Sequence, residues 1–315
     1  MNKIPLLHEQ TDFRDLLLTV TARERIVPQL VEKDYWLMHT LWALKSQGFR
    51  YEIKGGTSLS KGWKVIDRFS EDVDIKIFPP DGADVPIGKN QSNPSQRKKR
   101  EEFFNGLKER IVVPGASGVE RDTEFDDHDF RNAGLRVLYE SQFDTLEVLK
   151  EGVLLEVGFD VTSPNELMTI SSWAYDFGAE REPDVLDNRA LEVPCYCPEY
   201  TLVEKLSAIS KKYRQEKEGR IVPNFTRHYY DVFQLLDQPR VQGFLGTAAY
   251  YKHKKDRFHK DDEPDITRNE AFVLSDAVIR KRYSDRYRIS SGLYLRSQPS
   301  IELIINRIQK YAVRL

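Results

Sequence analysis

The sequence predicts an α+β protein in two parts. Residues 1–195 form a lobe built on a small mixed sheet, and residues 196–315 form a helical lobe that completes a cleft. Three observations lead there. Asp72-Val-Asp-Ile-Lys-Ile77 alternates polar and apolar residues, the period of a strand with one buried face. The apolar runs Leu135–Tyr139 and Val153–Val161 read as companion strands. Past Pro194-Cys-Tyr-Cys-Pro198, which reads as a boundary, the apolar spacing turns helical.

Taken in order, Phe13, Leu16, Leu17 and Val20 predict a helix over Thr11–Val20. Pro28 suits a first helical turn, and Leu30, Leu37, Leu41 and Leu44 carry that helix to a stop at Gly48. By composition Glu32, Lys33 and Asp34 lie on its solvated face. Phe49–Lys54 is a strand feeding the pair Gly55-Gly56, and Thr57 and Ser58 stand where a helix begins. The amphipathic stretch Leu59–Arg68 and then Ser70 lead into the Asp72 strand. Pro79–Ser95 has the composition of a mobile loop. It runs into Arg97-Lys-Lys-Arg100 and a helix with Phe103, Phe104 and Leu107. Glu120–Asp129, acidic around His128, reads as a solvated connector. Helices follow over Glu199–Tyr213 and Phe225–Leu236, a charged linker over Lys252–Asp265, and closing helices over Ala271–Ile279 and Ile301–Val313.

The chemistry concentrates between Lys54 and Phe78. Residues two apart on a strand point the same way, so Asp72, Asp74 and Lys76 share one face while Val73, Ile75 and Ile77 share the other. Paired carboxylates on a rigid strand repel unless a cation lies between them. Oxygen ligands of this kind suit Mg²⁺ or Mn²⁺. The glycines let the backbone approach a ligand closely, and N–H groups at a helix start with hydroxyls beside them favour a phosphate. Lys54, Gly55, Gly56, Thr57, Ser58, Arg68 and Lys76 are the candidate contacts to a nucleoside triphosphate, and Asp72 and Asp74 the candidate metal ligands. Glu156 is one charge inside the apolar run Leu154–Phe159. It is either buried, and then paired or metal-bound, or a carboxylate facing water on a half-exposed strand.

Lys54-Gly-Gly-Thr-Ser-Leu59, followed by Arg68-Phe-Ser-Glu-Asp-Val-Asp74, resembles the first motif of the AbiEii/AbiGii nucleotidyltransferase toxins. These are a branch of the DNA polymerase β-type nucleotidyltransferase superfamily. Thr57 stands in the place of the superfamily's serine, and the spacer has the longer form of this branch. Glu204-Lys205-Leu206 and Arg227-His-Tyr-Tyr-Asp231 resemble later motifs of the family, and Glu32-Lys-Asp-Tyr35 resembles a stretch upstream of its glycines. The resemblance covers most of the chain.

It implies a polymerase β-type lobe in which Asp72 and Asp74 hold the metal, with Glu156, or else Asp160, as third acid. It further implies that Lys205 and Asp231, by composition alone a surface lysine and a surface acid, face those carboxylates. A lysine offers the triphosphate a compact charge. The aspartate can orient that lysine or take the proton of an attacking hydroxyl. Lys33 or Asp34 would border the nucleotide. The implied role is the toxin of a toxin–antitoxin or phage-defence pair, with its antitoxin encoded nearby. It would transfer a nucleotide from an NTP to the 3′ end of tRNA, release pyrophosphate and block translation. Nucleotidylation of a protein side chain, or nucleotide binding without transfer, are the alternatives.

A net charge of −2 gives no global attraction to nucleic acid, so any contact with RNA rests on local patches. Arg97–Arg100 is one. Arg280–Arg282 and Arg286–Arg288, with Tyr283 and Tyr287 interleaved, form another, equally readable as an amphipathic surface. No apolar run reaches a membrane span and no signal peptide is evident, which predicts a cytoplasmic protein with no membrane partner. Cys195 and Cys197 read as reduced thiols at the lobe junction.

Overall fold

In the computed structural model, which describes residues 4–144, 146, 149–181, 184–220, 222 and 225–315, the Asp72 strand is the middle strand of a seven-stranded mixed sheet. Two compact units are present. One holds the chain up to Gly62 together with Ser70–Tyr196; the other holds Trp63–Phe69 together with Cys197–Leu315.

The first unit begins with α1 (Phe13–Glu24) and α2 (Pro28–Ser46). Strand β1 (Tyr51–Lys54) then enters a single helical turn α3 (Gly55–Thr57), continued by a wider turn over Ser58–Gly62. After β2 (Asp72–Ile77) come α4 (Pro94–Arg110), β3 (Gly118–Asp122), β4 (Asn132–Leu138), β5 (Val153–Gly158), β6 (Asn165–Ile170), α5 (Trp173–Gly178) and β7 (Ala190–Tyr196). The sheet order is β3-β4-β5-β2-β1-β7-β6. β2 runs antiparallel to β1 and parallel to β5. The fold is α+β, as the periodicities predict.

Three strands escape the sequence reading, each for a physical reason. β3 overlaps the start of Glu120–Asp129, the stretch read as a solvated connector. It is an edge strand with neither face fully buried, so it shows no apolar alternation. Its charges are paired: Arg121 with Asp126 at 2.8 Å, and Asp122 with Arg136. β6 is the opposite edge and exposes Leu167. β7 contains Pro194, a residue that argues against a strand interior.

The charges of α2 are not solvated. Nearly every position from Leu30 to Leu44 is buried, Glu32, Lys33 and Asp34 included. Each meets a specific partner, as buried charge requires. Glu32 accepts from Ser141 Oγ at 2.6 Å and Gln142 N at 2.8 Å. Lys33 donates to the Lys150 carbonyl at 2.5 Å. Asp34 pairs with Lys61 at 2.6 Å and accepts from Trp173 N at 2.9 Å.

Arg97–Arg100 is likewise not an open patch. The Arg100 side chain is fully buried and donates to the carbonyls of Gln91, Asp129 and Pro86 at 2.7, 2.8 and 3.0 Å. Arg97 pairs with Asp129, Lys98 with Glu102, and Lys99 with Asp84.

The second unit is helical: α6 (Pro198–Lys217), α7 (Arg227–Leu235), α8 (Pro239–Phe244), α9 (Ala248–Arg257), α10 (Glu270–Val273), α11 (Ala277–Ile289) and α12 (Ile301–Tyr311). The segment Trp63–Phe69 belongs here because its backbone pairs with the stretch after α11. Phe69 N donates to the Leu293 carbonyl at 2.7 Å, and Leu295 N to the Asp67 carbonyl at 2.9 Å. The charged linker over Lys252–Asp265 is partly helix, as α9. The helix expected over Ala271–Ile279 breaks at Leu274, which has φ +46°, and restarts at α11 under an Asp276 cap.

Within α11, Tyr283 and Tyr287 are buried, so they do not offer rings to RNA bases. Arg282 and Arg286 both reach Glu216, Lys281 and Arg288 reach Asp285, and Arg280 donates to the Leu274 carbonyl. The amphipathic reading of this patch is the one its geometry supports.

Arg100→Ala leaves three half-buried carbonyls without their donor. It should lower unfolding free energy by about 3 kcal/mol in urea titration, whereas Arg97→Ala, at a half-exposed pair, should change it by under about 0.5 kcal/mol.

Candidate active site

The sheet gathers the acids on one face. Register pairs Asp74 with Glu156 of β5 on one side and with Lys54 of β1 on the other. Partners in register point the same way, so Asp72, Asp74, Lys76, Glu156, Lys54 and Glu52 share a half-exposed face. Val73, Ile75 and Ile77 on the opposite face are buried at 0–1% exposure. The positive charges on this face are engaged. Lys76 lies 3.5 Å from Glu52, and Lys54 lies 3.3 Å from Asp160. The Lys54 contact neutralises Asp160, and the register gives Glu156 the place beside Asp74.

Gly55 closes on this face. Its φ is +68°, and a Cβ there would lie 2.0 Å from Asp74 Oδ2. Both the backbone conformation and the space therefore require glycine. Thr57 and Ser58 are buried. Thr57 Oγ1 donates to the Asp72 carbonyl at 2.8 Å, and Ser58 Oγ to the Tyr196 carbonyl at 3.3 Å. Their hydroxyl hydrogens tie the turn to β2 and β7. What the turn presents elsewhere is backbone.

Lys33 lies in the electrostatic field of this region. Burial pushes its ammonium down to about 8, against the pull of Glu71 and Asp72. Asp34 is turned to Lys61, whose ammonium also sits 3.9 Å from the centroid of Trp173. Of the two, Lys33 is the one coupled to the carboxylates.

The donor set tests the metal expectation. Among the described residues no group of three or more His, Cys, Asp or Glu side chains is gathered as a ready metal cage. Mg²⁺ does not need one: it commonly takes one or two carboxylates and keeps several waters. Two aspartates on one strand face, with a glutamate in register, fit that ion.

A second centre lies in the helical unit. Asp231 on α7 has no exposed surface. Arg68 grips it with both arms, Nε to Oδ1 and Nη2 to Oδ2, each at 2.7 Å, and gives Nη1 to the Phe69 carbonyl at 3.2 Å. Lys205 on α6 sits 3.0 Å from Oδ2 and is itself buried. Neither Lys205 nor Asp231 is a surface residue. Arg68, expected on the nucleotide, is instead buried with its guanidinium committed to Asp231. Desolvation alone would raise the Asp231 carboxyl, but Arg68 and Lys205 outweigh it and hold the group well below the usual carboxylate range. Such a carboxylate is a poor proton acceptor. Of the two roles open to Asp231, the geometry favours orienting Lys205.

Beside them stands His228, which sequence reasoning passed over. Its Nδ1 is 3.4 Å from Lys205 Nζ and 3.9 Å from Asp231 Oδ2, and its Nε2 is 3.4 Å from Lys212 Nζ. Spacing shows only that Lys205 and Lys212, seven apart on one helix, share a face; the packing of α7 brings His228 to them.

Two measurements test this geometry. Gly55→Ala should destabilise by well over the roughly 1–2 kcal/mol that left-handed backbone costs a residue with a Cβ. Gly82→Ala, with φ +80° and nothing within 4 Å, should cost only that backbone term. The histidines give a pH signature. Burial first, then the two lysines, hold His228 well below 6.5, and burial holds His39 at about 4. Both accept protons more readily when unfolded, so their contribution is complete above pH 6.5 and is lost as pH falls toward about 4. Melting temperature should fall through that window, and less so in His39→Gln if that variant folds.

With this geometry in place, comparison with known proteins adds one match. A family model described as "Nucleotidyl transferase AbiEii toxin, Type IV TA system" matches residues 47–311. No curated protein matches the chain.

Proposed function

The chain belongs to the AbiEii nucleotidyl transferase toxin family of type IV toxin–antitoxin systems, and from that premise we propose that it moves a nucleoside monophosphate from an NTP to the 3′ end of tRNA. The observation that carries the transfer chemistry is the pair Asp72 and Asp74 on one face of the central strand, with Gly55 pressed against Asp74.

In this reading Asp72 and Asp74, with Glu156 in register, would hold Mg²⁺ or Mn²⁺. When bound, that ion supplies positive charge to the α-phosphate and to the attacking and leaving oxygens. The protein's own groups do the rest. The Gly55–Ser58 turn offers backbone N–H groups to the distal phosphates. Lys205 offers a point charge to the triphosphate, and Asp231, fixed by Arg68, keeps that charge in place. The acceptor's 3′ hydroxyl gives its proton to solvent as its oxygen bonds to the α-phosphorus, the α–β phosphoanhydride bond breaks, and pyrophosphate leaves with the electron pair.

Support for tRNA as acceptor comes from family membership and from chemistry. A ribose hydroxyl at a single-stranded end is an accessible nucleophile, and blocking it stops aminoacylation and so translation. The partners in this reading are an NTP, tRNA and an antitoxin encoded nearby, and the place of action is the cytoplasm. Among the described residues no helix is long and apolar enough to cross a membrane.

Asp72→Asn or Asp74→Asn should abolish transfer. Neither should lower the unfolding midpoint, since each removes like-charge repulsion. Full transfer by either variant, or in excess chelator, removes the proposed site. With α-labelled NTPs and a lysate, the label should appear at the 3′ end of tRNA. Label on protein alone would move the answer to nucleotidylation of a side chain.

A further inference from the structure

His228 stands between two lysines of one helix. Lys205 Nζ is 3.4 Å from Nδ1, Lys212 Nζ is 3.4 Å from Nε2, and about 20% of the side chain is exposed. Among the described residues, the charged groups placed against the ring are Lys205 and Lys212 from α6 and Asp231 from its own helix, with Arg68 reaching it through Asp231. A neutral imidazole has one acceptor nitrogen and one N–H. It can take a hydrogen bond from one ammonium, and its width keeps the two ammonium groups apart. A protonated ring would face a cation on each side, with Asp231 already held by Arg68 and Lys205.

We propose that His228 is a positioning residue for nucleotide binding: a neutral imidazole that fixes the Lys205 ammonium through Nδ1 and spaces it from Lys212, without carrying the reaction's proton. The assignment rests on the reading that Lys205 serves the triphosphate. Burial and the two lysines act together to keep the ring unprotonated at neutral pH, which agrees with this role. Asp231 orients Lys205 from one side and His228 from the other, so the ammonium is restrained in direction as well as in charge.

The test separates the two ring nitrogens. The amide of asparagine stands close to the Nδ1 position, and that of glutamine reaches the Nε2 position. The dissociation constant of a non-hydrolysable NTP is measured by calorimetry, without acceptor, for wild type, His228→Ala, His228→Asn, His228→Gln and Lys205→Ala. His228→Ala should weaken binding by about tenfold, the scale of one lost charge-assisted hydrogen bond. His228→Asn should recover most of that loss and His228→Gln little. Turnover of labelled NTP between pH 5.5 and 8 should then have the same shape in wild type and His228→Asn. Wild-type binding by Lys205→Ala would overturn the reading of the Lys205 centre, and this role with it. Impaired Lys205→Ala beside wild-type His228→Ala would overturn the role of His228 alone. So would an imidazole limb near pH 6.5 that wild type shows and His228→Asn lacks, because the ring would then be moving the proton.

Discussion

A carboxylate with no exposed surface is the constraint on which the helical unit depends. Asp231 is tolerable there only because Arg68 meets both its oxygens and Lys205 lies against one of them. Breaking such a pair from one side costs about 3–5 kcal/mol, since it strands the other charge. The partner comes from far away in sequence. Arg68 rides on Trp63–Phe69, a segment of the N-terminal half that the helical unit holds by backbone pairing to Leu293 and Leu295. The motif from Arg68 to Asp74 is therefore shared. Its arginine serves the Lys205–Asp231 centre, and its aspartates lie on β2 of the sheet unit. A change in the length of this seven-residue run would disturb the Asp231 pair and the β2 register together.

What the sequence disclosed follows from which physical signals are local. β2 was legible residue by residue because period-two alternation and half-burial are the same fact stated twice. The glycine turn was legible because only glycine supplies its backbone conformation. The helices of the second unit were legible wherever an apolar stripe ran unbroken. What stayed hidden depends on partners distant in the chain. Glu32, Lys33 and Asp34 look like a solvent face until Ser141, Lys150 and Lys61 are brought to them. Arg100 looks like part of a basic run until three carbonyls close on it. Tyr283 and Tyr287 look like stacking rings among arginines. In the fold they are core, and Glu216 and Asp285 take up the charge outside them.

The candidate residues divided along the same line. Asp72, Asp74 and Glu156 share one face of adjoining strands because strand pairing is a regular geometry. Arg68 did not go to the nucleotide face, since its burial and its bidentate partner are set by a contact 163 positions along the chain. His228 was missed because no single-residue pattern marks an imidazole between two lysines; only the pairing of α6 with α7 does.

The two centres solve the problem of clustered charge in opposite ways, and this bears on what each can do. At the helical centre the opposing charge is supplied by the protein: Arg68 and Lys205 on Asp231. That arrangement is preorganised. On the sheet, the lysines of the carboxylate face are directed to Glu52 and Asp160, although register places Lys54 directly opposite Asp74. Asp74 faces a glycine whose missing side chain leaves the room its carboxylate occupies. A local rule is broken here, by three acids on one face of adjoining strands. Departures of that kind persist where function needs them. In the proposed reading, this gathering of oxygen donors on Asp72, Asp74 and Glu156 is where a bound cation sits.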